Sequence, residues 1–92
     1  MKYLIKLSPD AEAHLSLWIQ SGNKSVIRKL DQLFHELELH PTYGTGKPEL
    51  LKGDFQGYWS RRITKADRMI YQILTDTVVV SIVSLKGHYG DK

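Results

Sequence analysis

The sequence predicts an α+β domain, in which an N-terminal helical hairpin packs against a small, mostly antiparallel twisted sheet. Two segments with helical spacing fill residues 9–39, and three strand-like runs separated by short polar turns follow from residue 58. A short alternating stretch at residues 2–7 adds a strand before the helices, which gives the order β-α-α-β-β-β. The 92 residues contain no linker or internal repeat, so residues 1–92 are interpreted as one domain.

The two helices are delimited by their capping residues. Ser8 precedes Pro9 as an N-cap, and Gly22-Asn23 ends the first helix and caps the second. The second helix ends at His40-Pro41, because the residue before a proline disfavours the helical conformation. Its apolar stripe consists of Val26, Ile27, Leu30, Leu33, Phe34 and Leu37. Its opposite, polar face holds Arg28, Lys29, Gln32 and Glu36. The tight connection predicts that the two helices are antiparallel.

The second half of the chain is rich in turns and strands. Residues 42–57 contain four glycines and a proline, which indicate loops, with one brief strand near residues 50–51. Longer strands are predicted at residues 58–63, 68–74 and 78–85. The last of these is the most apolar and is therefore predicted to be central in the sheet.

Composition excludes several classes of function. No apolar run approaches the roughly 20 residues of a membrane helix, and no signal peptide is recognised, so we expect a cytoplasmic protein without membrane association. The absence of cysteine excludes disulfides, thiolate zinc sites and cysteine nucleophiles. The four histidines have no metal-binding spacing, so we expect neither a metal nor another cofactor.

Charge is distributed unevenly between the two halves. Residues 1–42 carry five basic and five acidic groups, whereas residues 43–92 carry eight basic and five acidic groups. The whole net charge of +3 therefore lies in the second half. A basic half-domain is a candidate surface for an anionic partner, including nucleic acid.

A set of polar side chains in this basic half suits metal-free RNA cleavage. The set consists of Glu49, Lys52, Arg61, Arg62, Arg68, His88 and Tyr89. Arg61 and Arg62 point to opposite faces of their strand, and the following hairpin brings Arg62 close to Arg68. A carboxylate and an imidazole supply a general base and acid, and guanidinium groups stabilise a pentacovalent phosphorus. Taken singly, each residue is more often an ordinary surface or packing residue than part of an active site.

The second half of the chain contains four ordered motifs. They are Gly46-Lys47-Pro48-Glu49-Leu50-Leu51-Lys52, Gly57-Tyr58-Trp59-Ser60-Arg61-Arg62-Ile63-Thr64, Asp67-Arg68-Met69-Ile70-Tyr71 and the closing His88-Tyr89. Together they resemble the YoeB (Txe/YoeB) toxins, which belong to the RelE-like toxins of bacterial type II toxin–antitoxin systems. The resemblance covers nearly the whole chain, and the combination is far more specific than any single motif.

The resemblance implies a ribosome-dependent mRNA endonuclease that needs no metal and leaves a 2′,3′-cyclic phosphate and a 5′-hydroxyl. Glu49 matches the family's general base, His88 its general acid and Arg68 the arginine that stabilises the transition state. The remaining matches are binding residues: Lys52 and Arg62 hold the scissile phosphate, Tyr89 positions the nucleotide, and Lys47 and Arg61 contact the RNA backbone or ribosomal RNA.

The resemblance also implies partners. They are mRNA and the ribosome, a YefM-like antitoxin with an acidic C-terminal segment, operator DNA reached only through that antitoxin, and a second copy of the chain. The sequence departs from some relatives at two positions: Ala66 replaces an acidic residue that orients arginines, and Gly87 precedes His88. Two other functions stay open, namely a catalytically inactive protein with the toxin fold that binds RNA or acts as a corepressor with the antitoxin, and a ribonuclease that acts on free RNA.

Overall fold

The computed structural model describes residues 2–87 and consists of two layers, a helical hairpin and a five-stranded sheet. The elements follow the predicted order, and the α+β class is confirmed. They are β1 (Leu4–Leu7), α1 (Pro9–Ser21), α2 (Lys24–Leu39), β2 (Glu49–Leu50), a 3₁₀ turn (Gly53–Phe55), β3 (Trp59–Arg62), β4 (Arg68–Leu74) and β5 (Val79–Ser84).

The sheet has the strand order β1-β5-β4-β3-β2. Strands β2 to β5 pair antiparallel, as expected of a meander, whereas β1 pairs parallel to β5. Leu4 lies opposite Val79 and Leu7 opposite Ile82 in this parallel pair. Strand β5 has two neighbours but is second from the edge, and the central strand is β4 rather than β5 as predicted, because only β1 pairs on the far side of β5.

The predicted helix caps are present and connect the helices to the sheet. The Ser8 hydroxyl accepts a hydrogen bond from the Ala11 amide at 3.0 Å and donates one to the Val83 carbonyl at 2.8 Å. Gly22 adopts a left-handed φ of 70°, which glycine tolerates without steric cost, and Asn23 caps α2. Within residues 2–87, no helix is long and apolar enough to cross a membrane.

The core lies between the helical hairpin and one face of the sheet. The stripe of α2 is buried through Val26, Leu30, Leu33 and Leu37. From the sheet, this cluster receives Ile63, Met69, Tyr71, Val80, Ile82 and Leu85. The opposite face of β2, β3 and β4 is therefore the one that is available for a functional site.

Candidate active site

The side chains of strand β3 point alternately to the two faces of the sheet. Trp59 and Arg61 point toward the helices, where Arg61 is fully buried. Ser60 and Arg62 point to the opposite face, because successive side chains of a strand alternate. That Arg61 and Arg62 point to opposite faces was predicted from the sequence, whereas which of the two is buried was not.

One face of the sheet collects four polar residues, which we call the Arg68 face: Glu49, Ser60, Arg62 and Arg68. Glu49 of β2 lies directly opposite Ser60 of β3, and Arg62 of β3 lies directly opposite Arg68 of β4. Directly opposed residues of an antiparallel pair place their side chains on the same face. The predicted proximity of Arg62 and Arg68 is confirmed by this register.

Glu49 and Arg68 meet across the width of three strands. Arg68 Nη1 lies 3.9 Å from Glu49 Oε1 and 3.3 Å from Ser60 Oγ. The Arg68 side chain is only 17% exposed, whereas that of Glu49 is 56% exposed. Arg68 Nε has no hydrogen-bond partner among the described residues. A largely buried guanidinium with an unused donor is suited to receive an anion such as a phosphate.

Arg62 adds a second cation to the Arg68 face. Its side chain is exposed and stands opposite Arg68, so two like charges share one cross-strand pair. Such a pair is unfavourable by itself, and an anion between the two guanidinium groups relieves the repulsion. The pairing therefore favours a binding role for Arg62 over a structural one.

The two predicted lysines flank β2. Lys47 precedes the strand and Lys52 follows it, and both are exposed. Lys47 adopts a left-handed φ of 51°, which is uncommon for a residue other than glycine. The preceding Gly46 accepts a hydrogen bond from the Arg62 amide at 2.7 Å, and a Cβ there would lie 2.9 Å from the Arg62 carbonyl oxygen. Gly46 is thus required for the loop to approach β3 so closely.

Arg61 is fully buried in the structure, which argues against the RNA contact that the resemblance implies for it. Its side chain has no exposed surface, and its guanidinium donates to five acceptors. These acceptors are Glu36 Oε1, Tyr71 Oη and the carbonyl oxygens of His40, Tyr43 and Thr45. Because the three carbonyls belong to the segment after α2, Arg61 fixes the loop that leads to Lys47 and Glu49.

Glu36 is the charged partner of Arg61, at 2.7 Å, and its side chain is 15% exposed. The polar face of α2 is therefore not solvated along its whole length, since Glu36 is largely buried there. Burial acts to raise the pKa of Glu36, but hydrogen bonds from the Thr45 hydroxyl and amide and from Arg61 outweigh it and lower the pKa to about 2. Burial also raises the pKa of Tyr71, whose hydroxyl donates to the Pro41 carbonyl at 2.6 Å.

The lowered pKa of Glu36 predicts a loss of stability in acid. Its ordinary pKa of 4.5 applies to the unfolded chain, so the stabilisation is complete above that value and is lost as the pH falls toward about 2. Between pH 6 and pH 3 we expect this one group to account for about 2 kcal/mol of unfolding free energy. Urea unfolding of the wild type and of Glu36→Gln gives the free energy of unfolding of each protein at pH 6 and at pH 3. The wild type is expected to lose more of this free energy in acid than the variant, and the difference is the contribution of Glu36. Equal losses in the two proteins would contradict the assignment.

The remaining predicted site residues, His88 and Tyr89, lie outside the described residues. Within residues 2–87, no group of three or more histidine, aspartate or glutamate side chains is placed to hold a metal ion. Ser60 is a member of the Arg68 face that the sequence analysis did not single out. Its spacing of two residues from Arg62 on the same strand is the signal that would have indicated it.

Comparisons with a family model and with individual relatives point to the same protein family. A family model described as the YoeB-like toxin of bacterial type II toxin–antitoxin systems matches residues 8–89. Toxin YoeB of Streptomyces coelicolor is 42% identical over 72 residues, which cover 78% of this chain and 82% of the relative.

Solved structures agree with the family match. A YoeB/ParE toxin from Agrobacterium tumefaciens superposes with a TM-score of 0.85 at 30% identity, covering 94% of this chain and 99% of its own. YoeB of Staphylococcus aureus has been solved as a dimer and in a complex with YefM, with TM-scores of 0.80 and 0.78 at 32% and 33% identity. Both S. aureus structures cover 97% of this chain and 100% of their own.

Proposed function

The chain belongs to the YoeB-like toxins of bacterial type II toxin–antitoxin systems, and from this premise we propose that it is a ribosome-dependent mRNA endoribonuclease. It cuts mRNA in the ribosomal A site and thereby inhibits translation. The ribose 2′-hydroxyl attacks the adjacent phosphorus, and the 5′-oxygen of the next nucleotide leaves. The products carry a 2′,3′-cyclic phosphate and a 5′-hydroxyl.

The meeting of Glu49 with Arg68 on the Arg68 face is the observation that carries this proposal. Glu49, which is solvent-exposed, takes the proton of the 2′-hydroxyl as the general base. Arg68 stabilises the negative charge that builds up on the phosphoryl oxygens through its guanidinium group, whose Nε has no hydrogen-bond partner within residues 2–87. The separation of 3.9 Å between Arg68 Nη1 and Glu49 Oε1 is longer than a hydrogen bond, so the carboxylate stays available to accept a proton.

His88 and Tyr89 complete the proposed site. His88 gives a proton to the leaving 5′-oxygen as the general acid, and Tyr89 stacks on a base next to the cut. Both positions fall within the region that matches the family, which ends at residue 89. With the proton transfers and the charge stabilisation all assigned to side chains, the proposed reaction requires no metal ion or other cofactor.

In this proposal the ribosome supplies the substrate affinity and the substrate positioning that the small basic surface lacks. The net charge of +3 gives weak and salt-dependent affinity for free RNA. Holding the substrate in an attack geometry is worth about 7–11 kcal/mol of a reaction barrier, and a ribosome-bound codon is held in this way. We therefore expect slow cleavage of the same mRNA without ribosomes.

An antitoxin and a second copy of the toxin are the proposed protein partners, because the S. aureus relative has been solved with YefM and as a dimer. A YefM-like antitoxin binds this chain in the cytoplasm through an acidic C-terminal segment, to which the basic second half is electrostatically complementary. Operator DNA is bound by the antitoxin and not by this chain directly.

Replacing Arg62 by alanine is expected to weaken binding more than chemistry. The side chain is exposed and contributes one cation to the Arg68 face, so its loss raises KM about 3- to 10-fold and lowers the salt dependence of binding by about one charge. Single-turnover cleavage at several toxin and salt concentrations separates KM from kcat. Lys6→Ala removes an exposed cation from β1, at the opposite edge of the sheet, and serves as the matched control. An equal change in both variants would show that Arg62 acts only through net charge.

Toeprinting of a translated mRNA tests the proposed function. Wild-type protein is expected to produce reverse-transcription stops in the A-site codon, and the double variant Glu49→Gln/His88→Gln is expected to produce none. The double variant keeps every cation of the Arg68 face, so an inactive RNA-binding protein or corepressor would be unaffected by it. Inhibition of translation by folded wild-type protein without any cut would favour that alternative.

A further inference from the structure

The chain that leads from β5 to His88 is held in place from two sides. On the helix side, the Leu85 amide donates to His14 Nδ1 at 3.1 Å, and the Leu85 carbonyl accepts from Trp18 Nε1 at 2.9 Å. His14 and Trp18 are four residues apart and so lie on one face of α1. Leu85 itself is fully buried. The backbone is therefore fixed three residues before His88.

The second fixation comes from the β3–β4 turn and acts on Gly87. Asp67 Oδ1 accepts from the Gly87 amide at 2.9 Å, and the Arg68 amide donates to the Gly87 carbonyl at 2.9 Å. The other carboxylate oxygen, Asp67 Oδ2, accepts from the Thr64 hydroxyl at 2.8 Å. Asp67 at the end of the turn and Arg68 at the start of β4 thus hold both the amide and the carbonyl of Gly87.

We propose that Asp67 is a positioning residue for the general acid His88, an inference that rests on the proposed function. A carboxylate that only stabilised the turn would need its contact with Thr64 alone, whereas Asp67 also reaches a residue 20 positions away. Asp67 precedes Arg68, and Gly87 precedes His88. The hydrogen bond therefore ties to each other the two residues that precede the proposed catalytic arginine and histidine.

This role differs from the one that the resemblance implies for an acidic residue in this turn. Some relatives carry an acidic residue at the position of Ala66, where it would orient arginine side chains. In the described part of the chain, the carboxylate of Asp67 bonds to Thr64 and to the Gly87 amide and to no arginine. It also supplies the restraint that a glycine before His88 would otherwise lack.

Replacing Asp67 by alanine is expected to lower kcat on the order of 10- to 100-fold, because a misplacement near 1 Å costs this much. KM is expected to change less than about threefold, since Asp67 contacts no substrate group in the proposed site. Asp67→Asn keeps an oxygen that accepts from the Gly87 amide, so it restores most of kcat. Asp76→Ala, in the β4–β5 turn, removes an exposed aspartate from an equivalent place and leaves kcat unchanged.

Amide hydrogen exchange of Gly87, followed by nuclear magnetic resonance, provides a readout that is independent of cleavage. The Gly87 amide is expected to be protected in the wild type and in Asp67→Asn, and to exchange at least tenfold faster in Asp67→Ala. Thermal unfolding of all four proteins shows whether the variants are folded at the assay temperature.

The possible outcomes separate the two proposals. If the wild type does not cut ribosome-bound mRNA, the proposed function fails. If the wild type cuts and Asp67→Ala cuts with the same kcat, only the positioning role of Asp67 is overturned. The role is likewise overturned if Gly87 exchanges equally fast in the wild type and in Asp67→Ala, or if Asp67→Asn is as slow as Asp67→Ala.

Discussion

Arg68→Ala is expected to lower the single-turnover rate of mRNA cleavage by two to three orders of magnitude, or about 3–4 kcal/mol of the barrier, the scale of a lost oxyanion donor. The reason is the geometry of the Arg68 face. Arg68 lies within 3.9 Å of the Glu49 carboxylate and is largely buried, and its Nε has no hydrogen-bond partner in the described part of the chain. Its loss removes charge stabilisation that is needed most in the transition state, so kcat falls more than affinity for the ribosome does.

Two further variants make this prediction specific. Arg68→Lys keeps the charge but loses the planar fork of donors, so its rate is expected to lie between those of the wild type and Arg68→Ala. Arg28→Ala removes an exposed arginine of α2 and should cut at the wild-type rate. A rate for Arg68→Ala within about threefold of the wild type, at saturating ribosome complex, would remove Arg68 from the chemistry.

Arg61→Ala is expected to have the largest effect on stability, about 3–5 kcal/mol, because removal of one partner of a buried ion pair leaves the other uncompensated. Five hydrogen bonds are lost together with the charge that faces Glu36. Domains of this size are stabilised by only about 5–14 kcal/mol in total. The variant should therefore unfold at a much lower urea concentration, which circular dichroism measures directly.

The neighbouring residue provides the control for Arg61. Arg62→Ala removes the same side chain from the exposed face of the same strand, and we expect its unfolding free energy to stay within about 0.5 kcal/mol of the wild type. The pair of variants thus separates a structural arginine from a binding one. Equal stability of Arg61→Ala and Arg62→Ala would contradict the central place of Arg61 in the loop network.

The helical hairpin was predictable because its determinants are local. Ser8, Gly22, Asn23 and Pro41 act within a few residues of where they stand, and α2 spans the same residues, 24–39, that its spacing predicts. The proximity of Arg62 to Arg68 was predictable for the same reason, since a short turn fixes the register of the β3–β4 hairpin in which both residues lie.

The failures concern contacts between distant parts of the chain. Alternation shows that Arg61 and Arg62 face opposite ways, but not which face the helices cover. The partner that buries Arg61, Glu36, lies 25 residues earlier on what is otherwise a polar helix face. The parallel pairing of β1 with β5 and the contact of Asp67 with Gly87 likewise join residues that no sequence pattern connects.

Cleavage of a site-specifically modified mRNA tests whether the 2′-hydroxyl is the attacking group. Pre-assembled ribosome complexes would carry either an all-ribose A-site codon or one with 2′-deoxy sugars at its three nucleotides. We expect rapid cutting of the ribose codon, with a 2′,3′-cyclic phosphate and a 5′-hydroxyl at the cut, and no cutting of the deoxy codon, because the attacking hydroxyl is absent. Equal cleavage of the two codons would contradict attack by the 2′-hydroxyl and with it the proposed roles of Glu49 and His88.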